Sequence, residues 1–99
     1  MASFAIPQGS ECPYWSNGDE SAFFQWLESI PGVKSLKGQR QELIVTLQSS
    51  RISSVALREL IALHKRYNLP MRSLSRFETA TNKKWFRSKK AYWYPKVFL

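Results

Sequence analysis

The feature that most constrains the fold is an amphipathic pattern over residues 54–67, bounded by a start signal and a stop signal. Its apolar residues recur at helical spacing: Leu57, Leu60, Ile61, His64 and Tyr67. That spacing predicts a helix with one buried face. Ser53 is a suitable N-cap, Asn68 tolerates the left-handed conformation that ends many helices, and Pro70 prevents continuation.

Two shorter patterns place this helix beside a sheet. Residues 41–48 are apolar and β-branched, which predicts a well-covered strand, and residues 33–36 can pair with it through a turn at residues 37–38. Residues 19–30 predict a second amphipathic helix, which Pro31 ends. The expected fold class is α+β, a small, mostly antiparallel sheet with two or three helices packed on one side.

The remaining segments carry weaker patterns. Residues 1–16 lack periodicity, which predicts a loosely ordered N-terminal arm ahead of a single basic α+β domain over residues 17–99. Residues 71–78 fit either a second short helix or an extended segment. Residues 84–98 hold two aromatic runs around a polar turn, which predicts a hairpin. The core is expected to contain the residues that the patterned elements turn inward: Phe23, Trp26, Leu27, Val45, Leu47, Leu57, Leu60, Ile61 and Leu74.

The charge is divided unevenly along the chain, whose formal net charge is +8. Residues 1–50 hold three Lys or Arg against five Asp or Glu, whereas residues 51–99 hold twelve against two. The electropositive surface therefore belongs to the C-terminal half. A field of that sign attracts phosphate groups or an acidic protein surface, although a solvated, solubilising surface has the same composition.

Residues suited to catalysis or metal binding are few. Cys12 and His64 are the only residues of their kinds, so the sequence holds no disulfide pair and no zinc spacing. A hydrogen-bonded packing role is the commoner one for a histidine on an apolar helix face. We therefore expect no enzymatic activity, no cofactor and no metal. The N-terminus lacks a signal-peptide pattern and no apolar run is long enough to span a bilayer, which predicts a cytoplasmic protein.

The C-terminal segment interleaves cations with aromatic rings. The cations are Lys83, Lys84, Arg87, Lys89, Lys90 and Lys96. The rings are Trp85, Phe86, Tyr92, Trp93 and Tyr94. Single-stranded nucleic acid is held by this combination, because cations follow the backbone and flat rings stack on bases. A hairpin would use one aromatic face for the core, so alternate rings such as Trp85 and Trp93 would be buried.

Residues 63–78 have a second pattern. Their apolar positions are Leu63, Tyr67, Leu69, Leu74 and Phe77. Asn68 stands at the turn between two groups of these positions, and residues 75–78 read Ser-Arg-Phe-Glu. In this arrangement the segment resembles the helix-turn-helix of small bacterial repressors. The resemblance implies a set of residues facing the DNA major groove: Met71, Arg72, Ser75 and Arg76. Three positions depart from the motif: His64, Pro70 and Met71.

The function predicted from these patterns is that of a non-enzymatic, small basic binding module. Its most favoured partner is nucleic acid, held through the C-terminal half. The candidate contact residues are Arg72, Ser75, Arg76, Lys83, Lys84, Arg87, Lys89, Lys90 and Tyr92. The alternative is a protein-binding inhibitor of the immunity or antitoxin type that binds an acidic partner protein. The sequence leaves open whether a nucleic-acid partner is DNA or RNA, and it leaves open the oligomeric state.

Overall fold

A computed structural model of the protein describes residues 2–7 and 14–99. The strands are β1 (Ala2–Pro7), β2 (Val33–Gln39) and β3 (Glu42–Leu47), and the two long helices are α1 (Asn17–Ser29) and α2 (Ser54–Arg66). A 3₁₀ helix (Arg72–Phe77) and two short helices, α3 (Lys83–Phe86) and α4 (Tyr94–Phe98), follow. The strands form an antiparallel sheet of order β1-β3-β2, so the predicted α+β class is confirmed.

The central strand β3 shows why these residues form a sheet with one covered face. Leu43, Val45 and Leu47 are buried, while the alternate residues Ile44 and Thr46 are only half-buried. This period of two is that of a strand whose one face packs on the core. Residues 33–36 pair with β3 as predicted.

The turn between β2 and β3 lies further along the chain than predicted. Gln39 pairs with Glu42, and Gly38 still pairs with Leu43 inside the ladder. Arg40 and Gln41 therefore make a two-residue turn, and Arg40 has a φ of 56°. Tight hairpin turns need this left-handed conformation because it matches the twist of the flanking strands.

The N-terminal strand differs from the loose arm that the sequence predicts for residues 1–16. Ala2–Pro7 pairs along its whole length with β3. Phe4 is only 3% exposed and Ile6 is also buried, because both point to the covered face of the sheet. Residues 8–13 of the predicted arm lie outside the described residues. Beyond them, the half-buried Tyr14 packs on Phe23 with ring centres 5.5 Å apart.

Helix α1 begins at a cap and is tied to α2 by its tryptophan. The Ser16 hydroxyl accepts a hydrogen bond from the Asp19 amide at 3.1 Å. Phe23 and Leu27 are buried. The prediction that Trp26 would be buried is wrong in part, since this side chain is half-buried. Its indole Nε1 donates to Glu59 Oε1 at 2.8 Å, which keeps the ring at the edge of the core where a carboxylate can reach it.

Helix α2 has the predicted ends and the predicted buried face. The Ser53 hydroxyl accepts from the Ala56 amide at 3.1 Å, and Asn68 adopts a φ of 54° just beyond the helix. Every residue of the predicted core except Trp26 is buried. His64 is 1% exposed, and its Nδ1 lies 2.7 Å from the carbonyl oxygen of Leu60. The structure therefore assigns this histidine to packing, as the sequence indicates.

Residues 84–98 do not form the predicted hairpin. They form α3, a turn and α4, and the intervening hydrogen bonds are local, such as Arg87 N to Lys83 O at 3.0 Å. The rings whose alternation predicts a strand instead pack against one another in a cluster. Trp93 Nε1 donates to the carbonyl oxygen of Phe86 at 2.7 Å. Each short helix also contributes one buried side chain to the core, Phe86 from α3 and Val97 from α4.

Candidate nucleic-acid interface

The exposed side of α2 carries two cations that share one stripe of the helix. Arg58 and Lys65 are seven residues apart, which is two turns and roughly 10 Å along the axis. Both are exposed, whereas Leu60 and Leu63 on the opposite side of the helix are buried. One helix thus supplies both the core and a basic surface stripe.

The rings of the C-terminal segment lie against this stripe. The guanidinium carbon of Arg58 is 4.0 Å from the centre of a Trp85 ring. The Trp85 and Trp93 rings meet edge to face at 6.2 Å, and Trp93 and Tyr92 do so at 5.1 Å. The Lys65 ammonium lies 5.7 Å from the Tyr92 ring centre and completes the series. We call this set the cation–aromatic strip: Arg58, Trp85, Trp93, Tyr92 and Lys65.

The strip is anchored to a buried residue on the core side and partly exposed on the solvent side. Trp93 is fixed by its hydrogen bond to the carbonyl oxygen of Phe86, whose own ring is fully buried. Trp85 and Trp93 are half-buried, and Tyr92 is 50% exposed. The stacked guanidinium adds stability, since a cation over a Trp face is attracted to the ring quadrupole by about 0.5–1 kcal/mol at an exposed site. The rings are therefore positioned before any ligand arrives.

Three lysines next to the strip carry unpaired charge. Lys84, Lys89 and Lys90 are exposed, and none forms an ion pair within the described part of the chain. The two carboxylates of residues 51–99 are engaged elsewhere: Glu59 accepts from Trp26, and Glu78 accepts from Arg87. Neither of these carboxylates therefore pairs with Lys84, Lys89 or Lys90.

Arg87, a predicted contact residue, makes a structural contact. Its Nε and Nη2 donate to the two carboxylate oxygens of Glu78 at 2.6 and 2.8 Å. These hydrogen bonds lower the pKa of Glu78 and raise the pKa of Arg87, because each charge stabilises the other. Lys83 adds a weaker electrostatic contribution that also lowers the Glu78 pKa. The charge of Arg87 is thus paired within the fold.

The arginines of the 3₁₀ helix are also bonded to the main chain. Arg72 donates to the main-chain oxygen of Leu99, and Arg76 donates to the carbonyl oxygen of Ser3 at 3.1 Å. Ser75 is exposed. Met71 is only 3% exposed, so the groove-facing position that the helix-turn-helix resemblance implies for it is wrong in this conformation. Its side chain is part of the core, as is that of Leu74 three residues later.

All nine candidate contact residues are exposed, but the structure brings only some of them together. Tyr92, Lys84, Lys89 and Lys90 belong to or adjoin the strip. Arg58 and Lys65 complete it, and sequence reasoning missed both. The signal that could have found them is their spacing of seven on the polar face of α2, two helical turns apart.

His64 and Cys12 are the two residues that the sequence singles out for chemistry other than binding. Burial lowers the pKa of His64 from 6.5 to about 4, which leaves its imidazole neutral, and Cys12 lies outside residues 2–7 and 14–99. Within those ranges no three His, Cys, Asp or Glu side chains group as metal ligands would. Over the same ranges, no helix combines the length and the apolar composition that crossing a membrane requires.

Comparisons of the chain with protein-family models, with curated proteins and with solved structures gave no match.

Proposed function

We propose that this protein is a non-enzymatic nucleic-acid-binding module that uses the basic surface of residues 51–99. The observation that carries the proposal is the cation–aromatic strip with its unpaired lysines, together with the engagement of both nearby carboxylates elsewhere. Phosphate neutralisation supplies most of the affinity in sequence-independent binding. The strip and Lys84, Lys89 and Lys90 offer five cations for it.

The exposed rings favour nucleic acid over an acidic protein surface. An acidic protein would use the same lysines and could also cover the rings, but its binding would not require cations and rings to alternate. A nucleic acid presents phosphates and bases at alternating positions, and bases pack on rings or on guanidinium planes. The interleaving of Arg58, Trp85, Tyr92 and Lys65 supports that partner.

The direct test is a fluorescence-anisotropy titration of labelled oligonucleotides at two salt concentrations. We expect the slope of log affinity against log salt to reflect about 0.7 per phosphate contacted on a single strand, or about 0.9 on duplex DNA. The double variant Lys89→Gln/Lys90→Gln should weaken binding to every sequence alike and flatten that slope. The matched control is Lys37→Gln/Arg40→Gln, which removes the same charge from β2 and its turn.

Two outcomes contradict the proposal. The first is that folded protein at low salt binds no oligonucleotide with a dissociation constant below about 1 mM. Non-specific nucleic-acid binding is usually tighter than this. The second is an equal loss of affinity in the two double variants. A pull-down with and without nuclease separates the rival class, because a single stoichiometric protein partner that survives nuclease supports an inhibitor of an acidic protein.

A further inference from the structure

We infer that the cation–aromatic strip binds unpaired bases, so that the ligand is single-stranded DNA or RNA rather than a duplex. The inference rests on the proposed function and specifies its ligand. It follows from two flat surfaces that the strip presents, from the cations between and beside them, and from the absence of a free recognition helix in the described part of the chain.

The first flat surface is the Tyr92 ring. This ring meets the Trp93 ring edge to face at an interplanar angle of 81°. The residue nevertheless stays 50% exposed to solvent. The ring is thus available for stacking. Because its contacts already hold it in one orientation, less side-chain entropy is lost when a ligand binds.

The second flat surface is the guanidinium of Arg58. Its guanidinium carbon lies over the Trp85 ring, 4.0 Å from the ring centre, and the residue is exposed to solvent. Unpaired bases stack on arginine planes as well as on rings. A base over Arg58 would extend an existing stack, and the positive charge would remain close to the backbone phosphates.

The cations are placed to follow a backbone that connects these two surfaces. Lys65 lies beside Tyr92, two helical turns from Arg58. Lys89 and Lys90 lie in the turn that leads directly to Tyr92, where the Ala91 amide bonds to the Ser88 carbonyl oxygen at 3.1 Å. Bases stacked on Tyr92 would therefore have phosphates close to Lys65 and to the turn that carries Lys89 and Lys90.

Duplex recognition has less support from the same residues. The helix-turn-helix resemblance would place a recognition helix after Asn68, but this segment is a six-residue 3₁₀ helix. Its Leu74 and Phe77 are buried, and its arginines donate to main-chain oxygens of other segments. A duplex also keeps its bases stacked internally, where Tyr92 and Arg58 cannot reach their faces.

The deciding experiment compares three probes of equal length on the wild-type protein: a single-stranded oligothymidylate, an abasic oligonucleotide with the same phosphates, and a duplex. Each is titrated by fluorescence anisotropy at one salt concentration, and an oligouridylate is added as the RNA counterpart. We expect the oligothymidylate and oligouridylate to bind more tightly than either the abasic strand or the duplex. The abasic strand isolates the bases, because it retains every phosphate.

Two pairs of variants test the assigned residues. Tyr92→Ala should weaken oligothymidylate binding by about fivefold to 150-fold and leave the abasic strand unaffected, whereas Tyr92→Phe keeps the ring and should bind as wild type does. Arg58→Lys keeps the charge and removes the plane, so it should also weaken binding to bases selectively. Arg66→Lys is its control at an exposed position off the strip. Circular dichroism verifies that each variant is folded.

The outcomes separate this inference from the proposed function. Equal affinity for the abasic strand and the oligothymidylate, or tighter binding of the duplex, overturns the inference and leaves nucleic-acid binding intact. Equal loss in Tyr92→Ala and Tyr92→Phe overturns the stacking role of the ring. Absence of binding to all probes overturns both proposals. Because the probe comparison uses wild-type protein, it decides the question even where a variant fails to fold.

Discussion

His64 makes the stability of the core depend on pH. The ring is buried, lies 6.4 Å from the Phe4 ring centre, and is kept neutral because burial opposes its charged form. Its pKa falls from 6.5 to about 4 on folding, so the unfolded chain binds a proton first. The contribution of neutral His64 is therefore complete above pH 6.5 and is lost as the pH falls from 6.5 towards 4.

The expected loss is about 2 kcal/mol in the free energy of unfolding between about pH 7.5 and about pH 5. Urea unfolding at several pH values measures it. The His64→Gln variant is the control, because its side chain does not titrate and its amide can still donate to Leu60. The same pH slope in both proteins would show that another group is responsible.

At the scale of elements, Trp93 strengthens the contact between α3 and α4, which also includes the packing of Phe86 on Phe98 with ring centres 5.0 Å apart. Its Nε1 hydrogen bond to Phe86 O and its edge contact with Trp85 join the two short helices. Trp93→Phe should lower the free energy of unfolding by about 1–3 kcal/mol, since the carbonyl loses its partner and the ring loses area. Thermal unfolding measures this, and Tyr92→Phe, at the neighbouring exposed ring, should change little. Equal stabilities would contradict the observed arrangement of α3 and α4.

How much of each element could be predicted from the sequence depends on where its determinants lie. Helix α2 has its cap, apolar stripe and stop signal within or beside the helix, so local patterns suffice. Helices α3 and α4 have four and five residues, which is too short for the helical period to repeat in the sequence. Their rings are oriented by tertiary contacts. For the same reason the sequence indicates Tyr92 and the lysines near it. The spacing of Arg58 and Lys65 is visible in the sequence, but their position beside the rings follows only from the packing of α2 near Trp85.

At the scale of the whole molecule, β1 joins the N-terminal part of the described chain to the 3₁₀ helix. Phe4 packs against Phe77 of the 3₁₀ helix with ring centres 5.5 Å apart, and Arg76 donates to the Ser3 carbonyl oxygen. The sequence-based prediction of a loose arm missed this, because Phe4 and Ile6 give an alternation too short to stand out beside Pro7. The strand is recognised by its pairing with β3, which lies far away in sequence.

If β1 belongs to the core, truncating Phe4 must destabilise the entire domain. Phe4→Ala should reduce the free energy of unfolding by about 3–5 kcal/mol, as for other buried rings. Chemical denaturation measures the change, and the exposed Ser3→Ala in the same strand is the control. Indistinguishable stabilities of Phe4→Ala and Ser3→Ala would mean that the first residues are a loose arm after all.

The strand order also bears on self-association. Because β3 is central, β2 lies at an edge of the sheet, and edge strands are templates for pairing with another copy. A second molecule docking antiparallel on β2, in a register centred on Lys37, would bring this residue close to Lys37 of its neighbour. Like charges facing each other across strands are destabilising. Lysine on β2 therefore opposes the growth of the three-stranded sheet into a continuous one shared between copies.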